Sequence, residues 1–159
     1  MLTSQGIPFL HSGEEFLRTK HGEENSYNLP DDINKIDWTL KRINSGVFTY
    51  YRDLISLRKA HSAFRMKTAQ AVRDNLKFYE DLSLPVTAPD IAYILMGAEA
   101  GDSWNRIVVL INPRKAARKF SLPMGEYEKA LDGNGACAGG RKISGFVEVP
   151  PLSMMILRD

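Results

Sequence analysis

From Phe64 to the C-terminus, apolar residues fall in short runs rather than at helical spacing. These runs are Leu76–Glu80, Ile91–Gly97, Arg106–Asn112, Arg118–Leu122, Tyr127–Leu131, Lys142–Val149 and Leu152–Arg158. Turn-forming residues divide most of them: Pro89-Asp90, Gly101-Asp102, Asn112-Pro113, Pro123-Met-Gly125 and Asp132-Gly-Asn-Gly135. Ile91-Ala-Tyr-Ile-Leu-Met and Ile107-Val-Val-Leu-Ile are apolar at both alternating sets of positions, which marks central strands covered on both sides. Seven short strands at this spacing predict an antiparallel β-sandwich over residues 64–159.

The pattern before Phe64 is different. Val47, Tyr50, Tyr51, Leu54 and Leu57 recur at three- and four-residue steps, predicting an amphipathic helix over 45–61. Asn44 and Ser45 suit its start, and Arg58, Lys59 and His61 suit the negative end of its dipole. Further upstream, Gly6-Ile-Pro-Phe-Leu10 is a short apolar run bounded by glycine and a long polar loop, as in a buried strand. A lone strand and helix cannot bury their own apolar faces, so residues 1–63 read as the end of something larger.

Composition narrows the function. The chain has 159 residues, 43% hydrophobic and 25% charged, which places it among globular domains. Its net charge is +2, and no basic stripe interleaves with aromatics, so nucleic acid is not an expected partner. No apolar run is long enough to span a bilayer, and a membrane partner is not expected. The start MLTSQGIPFL lacks a signal-peptide pattern, and the compartment stays open. A single cysteine, Cys137, has no partner for an internal disulfide and reads as an inert small residue.

Specific motifs cluster at the start of the chain. Gly6-Ile-Pro-Phe-Leu-His-Ser-Gly13-Glu14-Glu15 resembles the segment at the last barrel strand of the α-amylase superfamily. The continuation Lys20-His-Gly-Glu-Glu-Asn25-Ser-Tyr-Asn28, Asp31 to Asn34 and Ile36-Asp-Trp38 is similar to bacterial type I pullulanases. Leu57-Arg-Lys-Ala-His-Ser-Ala-Phe-Arg65 resembles their last barrel helix. The resemblance implies the last βα unit of a (β/α)8 barrel over 1–63, followed by a C-terminal β-sandwich over 64–159. It implies a retaining glycosidase that cuts α-1,6-glucosidic branches, with pullulan, glycogen or limit dextrins as substrates and the barrel as this segment's structural partner. The family's nucleophilic Asp, acid/base Glu and stabilising Asp lie on earlier barrel strands, and a complete barrel needs roughly 250 residues. No catalytic residue is therefore expected in this chain.

The polar stretch His11–Asn34 can be weighed on its own chemistry. Glu14 and Glu15 are neighbours, as are Glu23 and Glu24. Extended neighbours point to opposite sides, whereas glycoside hydrolysis needs two carboxyls facing each other across a bond. His11-x-x-Glu14 is no zinc spacing, and Pro8 and Gly13 oppose a helix there. Neither metal nor cofactor is expected. Sugar binding fits better, because Asn25, Tyr27, Asn28, Asp31, Asp32 and Asn34 offer planar hydrogen-bonding groups and an aromatic face within ten residues. Glu14 and Glu15 are expected to hold the loop through backbone or Arg18 hydrogen bonds. Trp38 reads as a core anchor beneath the loop, Trp104 as a partly buried turn residue, and His61 as a helix cap.

Two rivals to the pullulanase-like reading stay open. One is a free-standing carbohydrate-binding sandwich. The other is the corresponding part of an isoamylase or glycogen-debranching relative, which shares the last-strand motif.

Overall fold

A computed structural model describes residues 1–159. Four helices come first: α1 (Asp31–Asn34), α2 (Thr39–Ile43), α3 (Ser45–Ala60) and α4 (Ala69–Asn75). Eight strands follow: β1 (Leu76–Phe78), β2 (Ile91–Met96), β3 (Arg106–Asn112), β4 (Arg118–Ser121), β5 (Glu128–Asp132), β6 (Gly135–Ala136), β7 (Phe146–Val149) and β8 (Ser153–Arg158). Six of them form one sheet in the order β1-β2-β3-β8-β5-β6, and β4 pairs with β7 in a second. Every pairing is antiparallel. The chain is mainly β, with two sheets packed as in a sandwich.

Successive strand residues point to opposite faces of a sheet, and here both faces of the larger sheet are buried. Ala92, Ile94, Val108, Leu110, Met155 and Leu157 face one apolar cluster, which Phe120, Leu122, Val147 and Val149 of the smaller sheet region close. Tyr93, Leu95, Ile107, Val109 and Ile156 face a second cluster, closed by Leu2, Leu54, Ala63 and Phe64. That is why β2 and β3 read as unbroken apolar runs. In β5 a register shift between Lys129 and Leu131 interrupts the ladder with β8, and consecutive Ala130 and Leu131 both join the second cluster. The cut between residues 63 and 64 passes through this shared core.

Helix α3 seats on the β5–β6 hairpin. Asp53 Oδ2 accepts the Ala136 amide at 3.1 Å. A side chain at Gly135, whose φ is +111°, would come within 2.8 Å of that carboxylate, so the close approach requires glycine. Three side chains fix residues 2–6, which lie outside any helix or strand. Arg58 donates to the carbonyls of Leu2 (3.0 Å), Ser4 (2.6 Å) and Gly6 (2.6 Å). The Tyr93 hydroxyl donates to Thr3 O at 2.8 Å, and Gln5 bonds to Ala63 O and the Met66 amide. Irregular backbone buried this way needs such partners. Arg58 is thus a buried clamp, not a solvated dipole charge.

The structure corrects several expectations. Residues 7–10 form no strand: Ile7 is 98% and Phe9 86% exposed, because no neighbouring strand offers them a ladder. Helix α3 spans 45–60 as expected, but Asn44 makes no side-chain cap; its amide donates instead to Phe16 O at 3.0 Å. The short α4 was not legible in the apolar pattern, although Thr68 Oγ1 caps it by accepting the Ala71 amide at 3.0 Å. The two-residue β6 is an eighth strand beyond the seven expected. Replacing Arg58 with Met would leave the buried Leu2 carbonyl without a donor and hand the part-buried Ser4 and Gly6 carbonyls to water, and should cost about 2 kcal/mol, with Arg58→Lys restoring part of it. Urea unfolding of the three chains checks this.

Candidate functional site

The loop of residues 11–44 starts on a tight turn. Gly13 adopts a φ of +93°, and a Cβ there would meet Arg18 side-chain atoms at 2.8 Å. One 3-10 turn follows at Glu14–Phe16 and drops Phe16 into a fully buried position. The glutamates serve the loop itself. Glu15 accepts the Gly13 amide at 3.0 Å, while Glu14 accepts the His11 amide at 3.4 Å and the Tyr51 hydroxyl at 3.3 Å. The backbone half of the expectation holds. Arg18 instead donates to the carbonyls of Ser12 (3.1 Å) and Asn34.

Asn34 is the staple of this loop. Its amide nitrogen donates to Ser26 O at 2.7 Å and Leu29 O at 2.6 Å, and its Oδ1 accepts Lys20. The other residues expected at a sugar wall behave differently. Asn25, Tyr27, Asn28, Asp31 and Asp32 are exposed, Tyr27 to 83%. Their side chains make no hydrogen bond or ion pair within the chain. Asp31 and Asp32 sit in the first turn of α1, where the unsatisfied amides favour negative charge. Five of the six residues therefore present free amide, carboxylate and aromatic groups, held on a frame closed by the sixth. Lys20 and Arg18 complete that frame, and nothing in the residue pattern distinguished them from solvated charges.

Trp38 departs from expectation. It is 66% exposed, lying 5.7 Å from the ring of Phe16, so Phe16 is the anchor and Trp38 its outer cover. Beside it, Asp37 Oδ1 accepts both the amide (2.9 Å) and hydroxyl (2.6 Å) of Thr39. Trp104 is partly buried as expected, with the His61 ring stacked on it at 3.5 Å and the Arg158 guanidinium 5.3 Å from its centre. Its ring is engaged by the protein itself.

His61 occupies the C-cap position of α3, and its Nδ1 lies 2.8 Å from Asp102 Oδ1. Asp102, whose side chain is almost wholly buried, also accepts the amides of Ala63 and Trp104, each at 3.0 Å. Burial alone would raise its pKa, but the Ala63 amide, the His61 ring and the Trp104 amide together hold it below the usual carboxylate value. At Cys137, burial and the nearby Asp132 charge push the thiol up, so it carries less thiolate than a free cysteine.

With this geometry in place, the chain proves homologous to regions of pullulanases and isoamylases. A family model described as "Pullulanase, all-beta domain" matches residues 72–135. The Bacillus subtilis (strain 168) pullulanase is 36% identical over 158 residues, 99% of this chain and 21% of that protein. The Flavobacterium sp. isoamylase is 30% identical over 138 residues, 77% of this chain and 18% of that one. The solved pullulanase from Bacillus acidopullulyticus superposes with a TM-score of 0.90 and 38% identity, covering 99% of this chain and 19% of the other. A pullulanase type I from Bacillus subtilis, solved in complex with maltose, gives 0.89 at 36% identity, covering 99% of this chain and 22% of that one. The chain thus spans about a fifth of the length of these relatives.

Two outcomes are expected. Asn34→Ala should open the loop, so that trypsin cleaves between Arg18 and Lys35 about tenfold faster, with little change in global stability; proteolysis followed by mass spectrometry reads this. Asp102→Asn should destabilise the chain at pH 7 by about 2 kcal/mol, as the loss of charged hydrogen bonds does. A depressed pKa means the folded chain holds the proton less tightly than the unfolded chain. The stabilisation is present above pH about 4 and is lost as pH falls through the lower folded value, so the urea midpoints of the two chains should draw together as pH is taken down from about 4.

Proposed function

We propose that this chain is the C-terminal part of a type I pullulanase-like enzyme. Residues 1–63 are the end of a (β/α)8 barrel and residues 64–159 its C-terminal sandwich. The whole enzyme hydrolyses α-1,6-glucosidic branches of pullulan, glycogen or limit dextrins with retention. The observation that carries this reading is the unbroken match over 99% of the chain, which runs through the loop, α3 and the sandwich alike. A free-standing sandwich module would account for only the later part. The exposed Ile7 and Phe9 support the barrel assignment, as an apolar pair left uncovered where the rest of a barrel would pack.

In this arrangement Asn25, Tyr27, Asn28, Asp31 and Asp32 form one wall of the glucan cleft, and Asn34 sets its shape. Loops after barrel strands open onto the face where chemistry takes place. The wall hydrogen-bonds sugar hydroxyls but breaks no bond. Glu14 and Glu15 are spent on amides and a tyrosine, and the family's nucleophile, acid/base and stabiliser belong to earlier barrel strands. Retaining hydrolysis requires two carboxyls about 5 Å apart on either side of the bond.

The purified chain should therefore release no reducing sugar from pullulan. Turnover by this chain that disappears when Glu14 and Glu15 become Gln would show the loop to be a catalytic site and overturn the assignment.

A further inference from the structure

A cleft of about 810 Å³ lies where α3, the β5–β6 turn and the β7–β8 connection meet. It shares no residue with the loop of residues 11–44. Its size is that of small-molecule and oligosaccharide sites. Its lining includes three consecutive apolar residues, Pro150, Pro151 and Leu152, all three exposed, which form one wall. That wall is rigid: two prolines fix the backbone, and the Leu152 amide is tied to Arg114 O at 2.9 Å.

The polar groups around the cleft divide into two sets. Asn112, Ser153, Lys129 and Asp132 are engaged internally. Asn112 Nδ2 donates to Val149 O at 3.1 Å and Pro150 O at 2.8 Å, Ser153 donates to Pro150 O at 2.8 Å, and Lys129 pairs with Asp132 at 3.1 Å. Tyr50, Asn134 and Glu148 line the same cleft, and their side chains make no hydrogen bond within the chain. Tyr50 is half-buried; burial and the nearby Asp132 charge raise its pKa, so it stays a neutral phenol able to donate.

We propose that this cleft is a second α-glucan contact site, with the proline–leucine wall against the CH-bearing face of a glucose ring and Tyr50, Asn134 and Glu148 at its hydroxyl edge. The chemistry points to a neutral polyhydroxylated ligand. The one cation in the cleft, Lys129, is already paired with Asp132, and the free Glu148 repels anions. A pyranose offers what the remaining groups need, an apolar face and a rim of donors and acceptors. The restriction to α-linked glucan rests on the function proposed above.

The test is a titration of the ¹⁵N-labelled chain, followed by amide shifts, with maltotetraose and separately with cellotetraose. Saturable shifts at Gly133, Asn134 and Ser153 are expected with maltotetraose, at a Kd on the order of millimolar. Asn134→Ala and Tyr50→Phe should each weaken that response at least fivefold while leaving any shifts in residues 25–32 unchanged. No shift at the cleft, with shifts in residues 25–32, overturns the second site alone. Shifts at the cleft without any in residues 25–32 support the second site and count against the loop as a sugar wall. An equal response to cellotetraose overturns the assignment to α-glucan.

Discussion

The architecture follows from one constraint: β2, β3 and β8 are apolar on both faces. A sheet of that kind cannot be stable with one face in water, so it must find two covers. The β4–β7 pair supplies one, and α3 with residues 2–6 supplies the other. The helix is therefore part of the sandwich's own core. Burying Leu54 and Phe64 against Tyr93 and Ile107 removes apolar surface on both partners at once, each large side chain contributing about 1.5–3 kcal/mol. What separates at residue 63 in the chain does not separate in space.

Much of this was legible in the sequence, for identifiable reasons. Every expected strand run contains an observed strand, because turn residues and period-two apolar patterns are local signals. The helix at 45–60 was legible for the same reason. Residues 7–10 were misread because an apolar run states a preference for burial, and burial needs a partner that local pattern cannot supply. Trp38 was misread as the anchor for a similar reason: either ring could hold the loop down, and the folded loop buries Phe16 and leaves Trp38 outside.

The candidate site was legible as composition but not as structure. The run Asn25–Asn34 could be read as a set of polar planar groups, yet nothing in it separated the residue that closes the loop from those that face outward. That distinction depends on distant atoms, since Asn34 reaches the carbonyls of Ser26 and Leu29 and receives Lys20. Arg58 and Asp102 were opaque for the same reason. Each acts through backbone groups far away in sequence, which residue type alone does not reveal.

The Asn34 staple has a consequence for how the loop meets a ligand. Its hydrogen bonds are complete without any sugar, so the conformational freedom of residues 20–34 is surrendered when the chain folds and not when it binds. On the function proposed above, a sugar arriving at Asn25, Tyr27 and Asn28 would find a surface whose backbone is already set, with only a few side-chain rotamers left to order, each at about 0.5–1.5 kcal/mol. The loop would thereby act as a rigid template, telling ligands apart by whether their hydroxyls match its spacing rather than by reshaping itself around them.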